Sequence, residues 1–507
     1  MNDFRQLLDF CKNSFGTKNA IKYLKGDEIK IKTFVELYID VMEKVQFWDE
    51  NGEKNKKIAI IGSTTYEWIS SYYGIVCSGN IMIPIDRMLS NDKIVEFLLL
   101  SEADIILYES NLSSKIEKIL KSLSIAVQKI EIGKDKRKKN RNDCMDVIDI
   151  DENQTAVMLF TSGTTGDSKL VVLSHKNLCS NVQYVRYLTR GVFRETEDMS
   201  TIIILPTHHA FAITVGINFP LYIGMTICIG KGVQFLTESI SIFKPSMLAL
   251  VPMFIEKMYK QIVAIQKKKQ EKSTVLKEIF GENLDIVFCG GAFLDSTIVE
   301  SFNKWGIKLW NGYGITECGP VISGRQIEPY NYSSVGMLEK QDFCKVKIVE
   351  GEILVSGLGI MKEYYQDSEA TEQVLCDGWF KTGDLGYIDE DGYLYITGRK
   401  KNLIILNNGE NISPEELEMY FSKLELIKEI IIYSKKFNGQ EILYAEIVAD
   451  LQIVEERKID NVKDEMYKEI WKLNKTLPNY KQIKRFTILD NMDKSSLGKI
   501  KRGGRND

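Results

Sequence analysis

The chain has 507 residues, 44% of them hydrophobic and 27% charged, ordinary proportions for soluble globular domains and enough length for at least two of them. A net charge of -4 at pH 7 excludes the basic footprint of a nucleic-acid binder. The nine cysteines contain no C-x-x-C pair, which argues against a disulfide framework or a zinc site and for reduced thiols in a cytoplasmic setting.

The opening run MNDFRQLLDFCKNSF carries charges through its first turns and lacks the apolar core of a signal peptide, so it reads as an amphipathic helix. Short β-branched runs then alternate with helical patterns: KIAIIG, TYEWISSYYGIVCSG, IMIPID and, further on, KPSMLALV with a helix after Pro252, and LDIVFCGG before STIVESFNKWG. Such alternation predicts βαβ units and parallel sheets. The Lys-rich run GKDKRKKNRND at 133–143 reads as a solvated loop.

Residues 160–169, FTSGTTGDSK, lie between two apolar runs and combine hydroxyls, glycines and a closing lysine. Glycines let a backbone approach closely, hydroxyls donate, and Lys169 adds a point charge, a composition that suits either a phosphate chain or an ordinary turn. It is not a Walker loop, which needs G-x-x-x-x-G-K-[ST] opening a helix.

From 199 to 230 there is no Asp, Glu, Lys or Arg. Pro206, Gly216, Pro220 and Gly224 interrupt the run, and it holds His208, His209 and Asn218. The pattern predicts a strand, a loop, a buried helix around 212–222 and a second strand rather than a membrane span. With three histidines in the whole chain, a histidine metal site is not expected.

After about Ser333 the texture turns to hairpins, with Asp391-Gly392 between alternating strands as a turn signal. Ser413, Pro414 and Glu416 spell a helix start, with the serine as cap. The expected architecture is α/β: a large N-terminal domain (1–397) of βαβ-type sheets with a β-rich subdomain, a short link at 398–401, and a small α+β C-terminal domain (402–507).

TSGTTGDSK resembles the phosphate-loop signature of the adenylate-forming (ANL) superfamily, which includes acyl- and aryl-CoA synthetases, beetle luciferase and the adenylation domains of peptide synthetases. LPTHHAF, CGGAFL, NGYGITECG, GEILVSG, WFKTGDLGYIDEDGYLYITGRKKNLI, NNGENISPEELE and DKSSLGKIKR follow in the order of that family's other signatures and span nearly the whole chain. The family joins a carboxylic acid to AMP, releases pyrophosphate and usually passes the acyl group to a thiol. Two anions must meet in such a site, so it needs cations and donors rather than a strong base.

The resemblance implies that Thr161, Ser162, Gly163, Thr164, Thr165, Gly166 and Lys169 hold the β- and γ-phosphates of ATP. It assigns Gly290, Gly291, Ala292, Asn311, Gly312 and Tyr313 to an adenine slot, Thr316 to the α-phosphate and Glu317 to Mg²⁺. Asp384 and Arg399 match the ribose contacts, Lys499 the catalytic lysine, and Lys401 the hinge residue about which the small domain swings. His208, His209, Phe211, Gly216 and Gly314 fall on the substrate side. One departure stands out: the family's loop usually continues Pro-Lys-Gly, whereas here Ser168, Lys169 and Leu170 follow Asp167, which predicts a looser cradle.

Peptide-synthetase domains fix the α-ammonium of their substrate with a carboxylate on the helix after LPTHHAF, and residues 208–221 contain no Asp or Glu. An unpaired ammonium there would be costly. An alkyl or aryl acid is therefore expected, in a pattern closest to bacterial fatty-acyl ligases. Lys401 favours CoA as the acceptor. The alternatives are an acyl-AMP ligase loading the phosphopantetheine of a carrier protein, an aryl-CoA ligase, and a non-catalytic nucleotide-binding relative. No nucleic acid and no membrane-spanning segment are expected.

Overall fold

The computed structural model of the chain describes residues 1–26, 28–136, 149–161, 168–193, 199–267, 276, 279–281, 283–339, 343–405, 411–437, 440–493, 500 and 502, and every element below is counted among these. The fold is mixed α/β with two compact units. One comprises Met1–Val346 and Val355–Phe380, the other Lys347–Leu354 and Lys381–Asp507.

The first unit contains two seven-stranded sheets. In one, Lys308–Asn311, Ile286–Cys289, Met247–Leu250, Ser200–Ile203, Thr226–Ile229 and Asn19–Lys25 run parallel, and Glu28–Thr33 closes the edge antiparallel. In the other, Thr155–Thr161, Ile81–Ile85, Lys57–Ile61, Ile105–Tyr108 and Gln128–Glu131 are parallel, while Lys169–Ser174 and Glu363–Tyr364 add antiparallel strands at one edge. Ile58, Ala59, Ile60 and Ile61 are all buried, as befits a parallel strand covered on both faces. The expected βαβ alternation is thus present.

Capping fixes where strands hand over to helices. Ser174 Oγ accepts from Asn177 N at 3.1 Å, and Asn177 Oδ1 accepts from Ser174 N at 2.9 Å. This reciprocal pair starts the helix His175–Leu188 directly at the end of Lys169–Ser174. The uncharged run forms a core segment as read, but its helix begins earlier, at Ala210, and widens into a π turn over Thr214–Asn218 before Phe219–Tyr222. Pro220 has no N–H to return to the carbonyl of Gly216, and widening the turn accommodates that lost rung.

The Lys-rich run departs from a simple solvated loop. Asp135 is fully buried, and Lys44 Nζ, itself buried, lies 2.8 Å from its Oδ1. One carboxylate thus anchors the start of the run, and 137–143 falls outside the described residues. Leu170 is a buried strand residue opposite Phe160, so the family's glycine is not needed at that place for backbone freedom. Among the described residues, no helix is long and apolar enough to cross a membrane.

In the second unit, Trp379–Ile388 and Leu394–Arg399 form the expected hairpin, with Asp384 opposite Arg399. Ile427–Phe437, Gln440–Ala449 and Arg485–Leu489 make a three-stranded sheet. It packs on the helix Pro414–Phe421, which Ser413 caps as read by accepting from Glu416 N.

His175, at the start of its helix, is wholly buried and accepts from Phe4 N at 3.4 Å. Burial pushes its imidazole down to about 4. Between roughly pH 6.5 and that value the unfolded chain binds the proton and the folded chain does not, so stability is lost as pH falls through this window. Acidification across it is expected to remove up to ~3 kcal/mol from the first unit, read as a falling unfolding midpoint that His175→Gln flattens. An equally steep fall in the variant would assign the acid sensitivity elsewhere.

Candidate active site

The strands Thr155–Thr161 and Lys169–Ser174 bring the two ends of the hydroxyl-rich loop together. Thr161 lies opposite Lys169, with Thr161 Oγ1 3.5 Å from the Lys169 carbonyl. Ser162, Gly163, Thr164, Thr165 and Gly166 lie outside the described residues. Lys169 Nζ sits 4.5 Å from the ring centroid of Tyr364, on the neighbouring edge strand. Tyr364 in turn donates its hydroxyl to Glu317 Oε1 at 2.9 Å. Burial, with the Glu317 carboxylate next, pushes the Tyr364 phenol well up, so it stays a neutral donor.

Sequence reading missed Tyr364. It is one of 23 tyrosines, and only a strand pairing nearly two hundred residues long in sequence reveals it beside Lys169. Glu317 lies in the single turn Thr316–Cys318, whose backbone is held by Met361 N donating to the Glu317 carbonyl at 2.8 Å and by Asn181 Nδ2 donating to the Cys318 carbonyl at 3.2 Å.

The adenine-side residues gather at the carboxyl ends of adjacent parallel strands, where α/β sheets bind ligands. Cys289, just before Gly290, Gly291 and Ala292, is in register with Asn311. The Asn311 side-chain oxygen is buried with no hydrogen-bond partner among the described residues, an acceptor suited to an amino group of a bound base. A Cβ on Gly290 would touch the Phe211 ring at 3.4 Å, so this substrate-side aromatic closes on the same corner. Tyr313–Gly314 pairs with Val321–Ser323, and a Cβ on Gly314 would stand 2.0 Å from the Pro320 carbonyl oxygen. Only glycine fits there. Gly312 follows Asn311, and its amide donates to the Cys289 carbonyl at 2.8 Å.

On the substrate side, His208 and His209 pack ring on ring with centroids 4.2 Å apart. His208 Nε2 lies 3.9 Å from Asp86 Oδ2, and burial lowers the imidazole against the pull of that carboxylate. Asp86 comes from the segment after Ile81–Ile85, so no local pattern announced it. Gly216 sits in the π turn, where Thr214 Oγ1 donates to the Gly319 carbonyl at 3.2 Å, tying the helix to the turn that carries Glu317.

In the second unit, Arg399 Nε pairs with Asp384 Oδ1 at 2.9 Å, and Asp384 is buried. Glu352, which sequence reading also missed, accepts from Gly383 N at 3.1 Å and from Lys400 Nζ at 2.8 Å. Asn402 Nδ2 donates to Glu415 Oε1 at 2.5 Å. Between these two anchored neighbours stands Lys401. Partial burial, then the Arg399 and Arg502 cations, lower its ammonium to about 8. Its side chain is open enough for solvent to temper that drop. Lys499 lies outside the described residues.

Against this geometry, the profile of the AMP-binding enzyme family matches residues 13–365. The chain belongs to that family. A long-chain-fatty-acid–CoA ligase of Bacillus subtilis (strain 168) is 27% identical over 469 residues, covering 82% of this chain and 80% of the relative. A 2-succinylbenzoate–CoA ligase of Listeria monocytogenes is 29% identical over 361 residues, covering 69% and 70%. Among solved structures, the o-succinylbenzoate CoA synthetase of Bacillus subtilis in complex with the acyl-adenylate intermediate superposes with a TM-score of 0.79 at 22% identity, over 99% of this chain and 98% of that one. As a member of this family the chain is an adenylate-forming ligase of the acid–thiol class.

No group of three or more metal-ligating side chains exists among the described residues. A single carboxylate, Glu317, fits Mg²⁺, which takes one or two carboxylates together with substrate phosphates and water. Tyr364→Phe removes the donor that orients Glu317, and an outer-shell loss of this kind costs about 10–100-fold. The Mg²⁺ concentration giving half-maximal pyrophosphate exchange should therefore rise about tenfold or more. Unchanged Mg²⁺ dependence would remove Tyr364 from the site.

Proposed function

We propose that the chain activates an apolar carboxylic acid, most simply a fatty or other alkyl acid, to an acyl-adenylate at the expense of ATP and then passes the acyl group to CoA. The observation that carries this reading is the meeting of Lys169, Tyr364 and Glu317 at the mouth of the 162–167 loop. A cation on the ring of Tyr364 and a carboxylate oriented by its hydroxyl suit a metal-bound polyphosphate.

In this reading Lys169 and the loop hydroxyls bind the β- and γ-phosphates, so that pyrophosphate is held as it departs. Mg²⁺, when bound at Glu317, would neutralise phosphate charge. Asn311 accepts from the base, and Asp384, oriented by Arg399, accepts from the ribose hydroxyls. Lys499 is assigned to the substrate carboxylate and α-phosphate, where an ammonium offsets the repulsion between the two anions as the acyl oxygen attacks phosphorus. Lys401 is assigned to the hinge between the half-reactions, with the mobile domain following it.

The alkyl assignment rests on the apolar π-turn helix beside Phe211 and on the absence of any acidic residue in 208–221. An aryl acid is the second reading, supported by the likeness to 2-succinylbenzoate ligases. Acid-dependent ATP–pyrophosphate exchange with acetate, hexanoate, palmitate, benzoate and amino acids decides among them. Hexanoate or palmitate is expected to respond, benzoate alone would select the aryl reading, and an amino acid alone would defeat the pocket argument. With the responding acid, thioester should form on CoA; product on a carrier protein but not on CoA would reassign the acceptor. Lys499→Ala should abolish exchange while ATP still binds, and undiminished exchange would refute its role.

A further inference from the structure

Three residues beyond Lys499, the second unit holds Arg502 in a built site. Arg502 Nη1 donates to the Ile432 carbonyl at 3.2 Å, and Nη2 pairs closely with the Glu418 carboxylate. Glu418 Oε1 accepts from Ile432 N at 2.6 Å. The carboxylate and the guanidinium therefore grip the N–H and the C=O of one residue on the outer strand Ile427–Phe437, whose other edge pairs with Gln440–Ala449. Ile500 packs with Ile431, Val448 and Met492, so the chain on either side of 494–499 returns to the same small apolar cluster.

Glu418 is partly buried, and that burial holds its carboxyl up to about 7 against the pull of Arg502. A second carboxylate, Glu415 Oε1, lies 3.6 Å from Arg502 Nη2 and is the same oxygen that accepts from Asn402. A charged pair of this kind gains little net stability from replacing water, and its use is more often positional. Arg is suited to it because a planar fork offers a carboxylate and a carbonyl separate donors in a fixed geometry, where a lysine presents one rotatable ammonium.

We infer that Arg502 is a positioning residue for the adenylation half-reaction: by clamping the tail to Glu418 and the Ile432 peptide it fixes the chain from which Lys499 reaches the reacting carboxylate and α-phosphate. The inference rests on the assignment of Lys499 made above. A lysine on an unanchored tail would visit many placements, and a displacement of about 1 Å at a reacting group costs on the order of 10²-fold. The inference concerns the step in which the lysine acts, and acyl transfer from a preformed adenylate does not call on that lysine.

The test separates the half-reactions in the full-length enzyme. Arg502→Ala is expected to lower acid-dependent pyrophosphate exchange by about 10–100-fold, with the KM for ATP within about twofold. Thioester formation from CoA and supplied hexanoyl-adenylate (benzoyl-adenylate if benzoate is the responding acid) should be unchanged. Arg502→Lys keeps the charge beside Glu418 and should recover part of the exchange rate, and Glu418→Gln should lower exchange in the same selective way. An equal fall in both half-reactions for these variants would reduce the clamp to a fold-stabilising contact and overturn the inference. Full exchange in Arg502→Ala, with exchange lost in Lys499→Ala, would overturn the clamp while leaving the lysine in place. Full exchange in Lys499→Ala would instead remove the assignment on which the inference stands.

Discussion

The hydrogen bond from Tyr364 to Glu317 joins two parts of the first unit that the strand order alone would leave separate. Tyr364 belongs to a two-residue strand laid against Lys169–Ser174, and Glu317 to a single turn that follows the Tyr313–Gly314 strand. Through this contact the lysine at the end of the loop and the carboxylate beside the base-binding corner share one tyrosine, the lysine on its ring face and the carboxylate on its hydroxyl. Two like charges must approach each other in the reaction. In the reading proposed above, a cation and a carboxylate that share one buried tyrosine stand in place before substrate arrives, the preorganisation that such chemistry favours.

Much of the architecture is written locally. Short apolar runs such as KIAIIG suit strands buried on both faces, and Ser413-Pro414 suits a helix start; both elements stand where the sequence put them. The motif residues at strand ends, from Gly290 to Glu317, are legible because their chemistry and their turn are one short string. What escaped depends on distance along the chain. Tyr364 and Asp86 acquire meaning only through neighbours far away in sequence, and Asp135 hides in a basic run because its partner is Lys44, in a helix ninety-one positions earlier. The π turn escaped for a different reason: periodicity sees apolar residues, not the missing N–H of Pro220.

Asp86 bears on the acid that the site accepts. A carboxylate near the substrate-side histidines would, taken alone, reopen the case for an ammonium-bearing substrate. Its Oδ1, however, accepts from Met88 N at 2.9 Å, closing a local turn, and its Oδ2 lies 3.9 Å from the Nε2 of His208, whose imidazole burial lowers. An acceptor already committed to a backbone amide has less to offer a buried ammonium than the unshared carboxylate such a substrate needs. The apolar helix beside it then dominates the character of this side of the site.

The proposed role of Lys401 as the pivot can be set beside the contacts of its two neighbours in the second unit. Lys400, one residue before it, is held by Glu352, which also binds the Gly383 amide of the Asp384 hairpin. Asn402, one residue after it, is held by Glu415 on the helix Pro414–Phe421, whose neighbour Glu418 grips Arg502. The chain on one side is thus tied to the strand that carries Asp384, and on the other to the helix that anchors the C-terminal tail. Lys401 stands between these two sets of side-chain contacts, within the single turn Lys400–Asn402. A side chain at that residue must tolerate two surroundings, and a cation left largely to solvent, between Arg399 and the Glu415–Arg502 pair, loses little when those surroundings change.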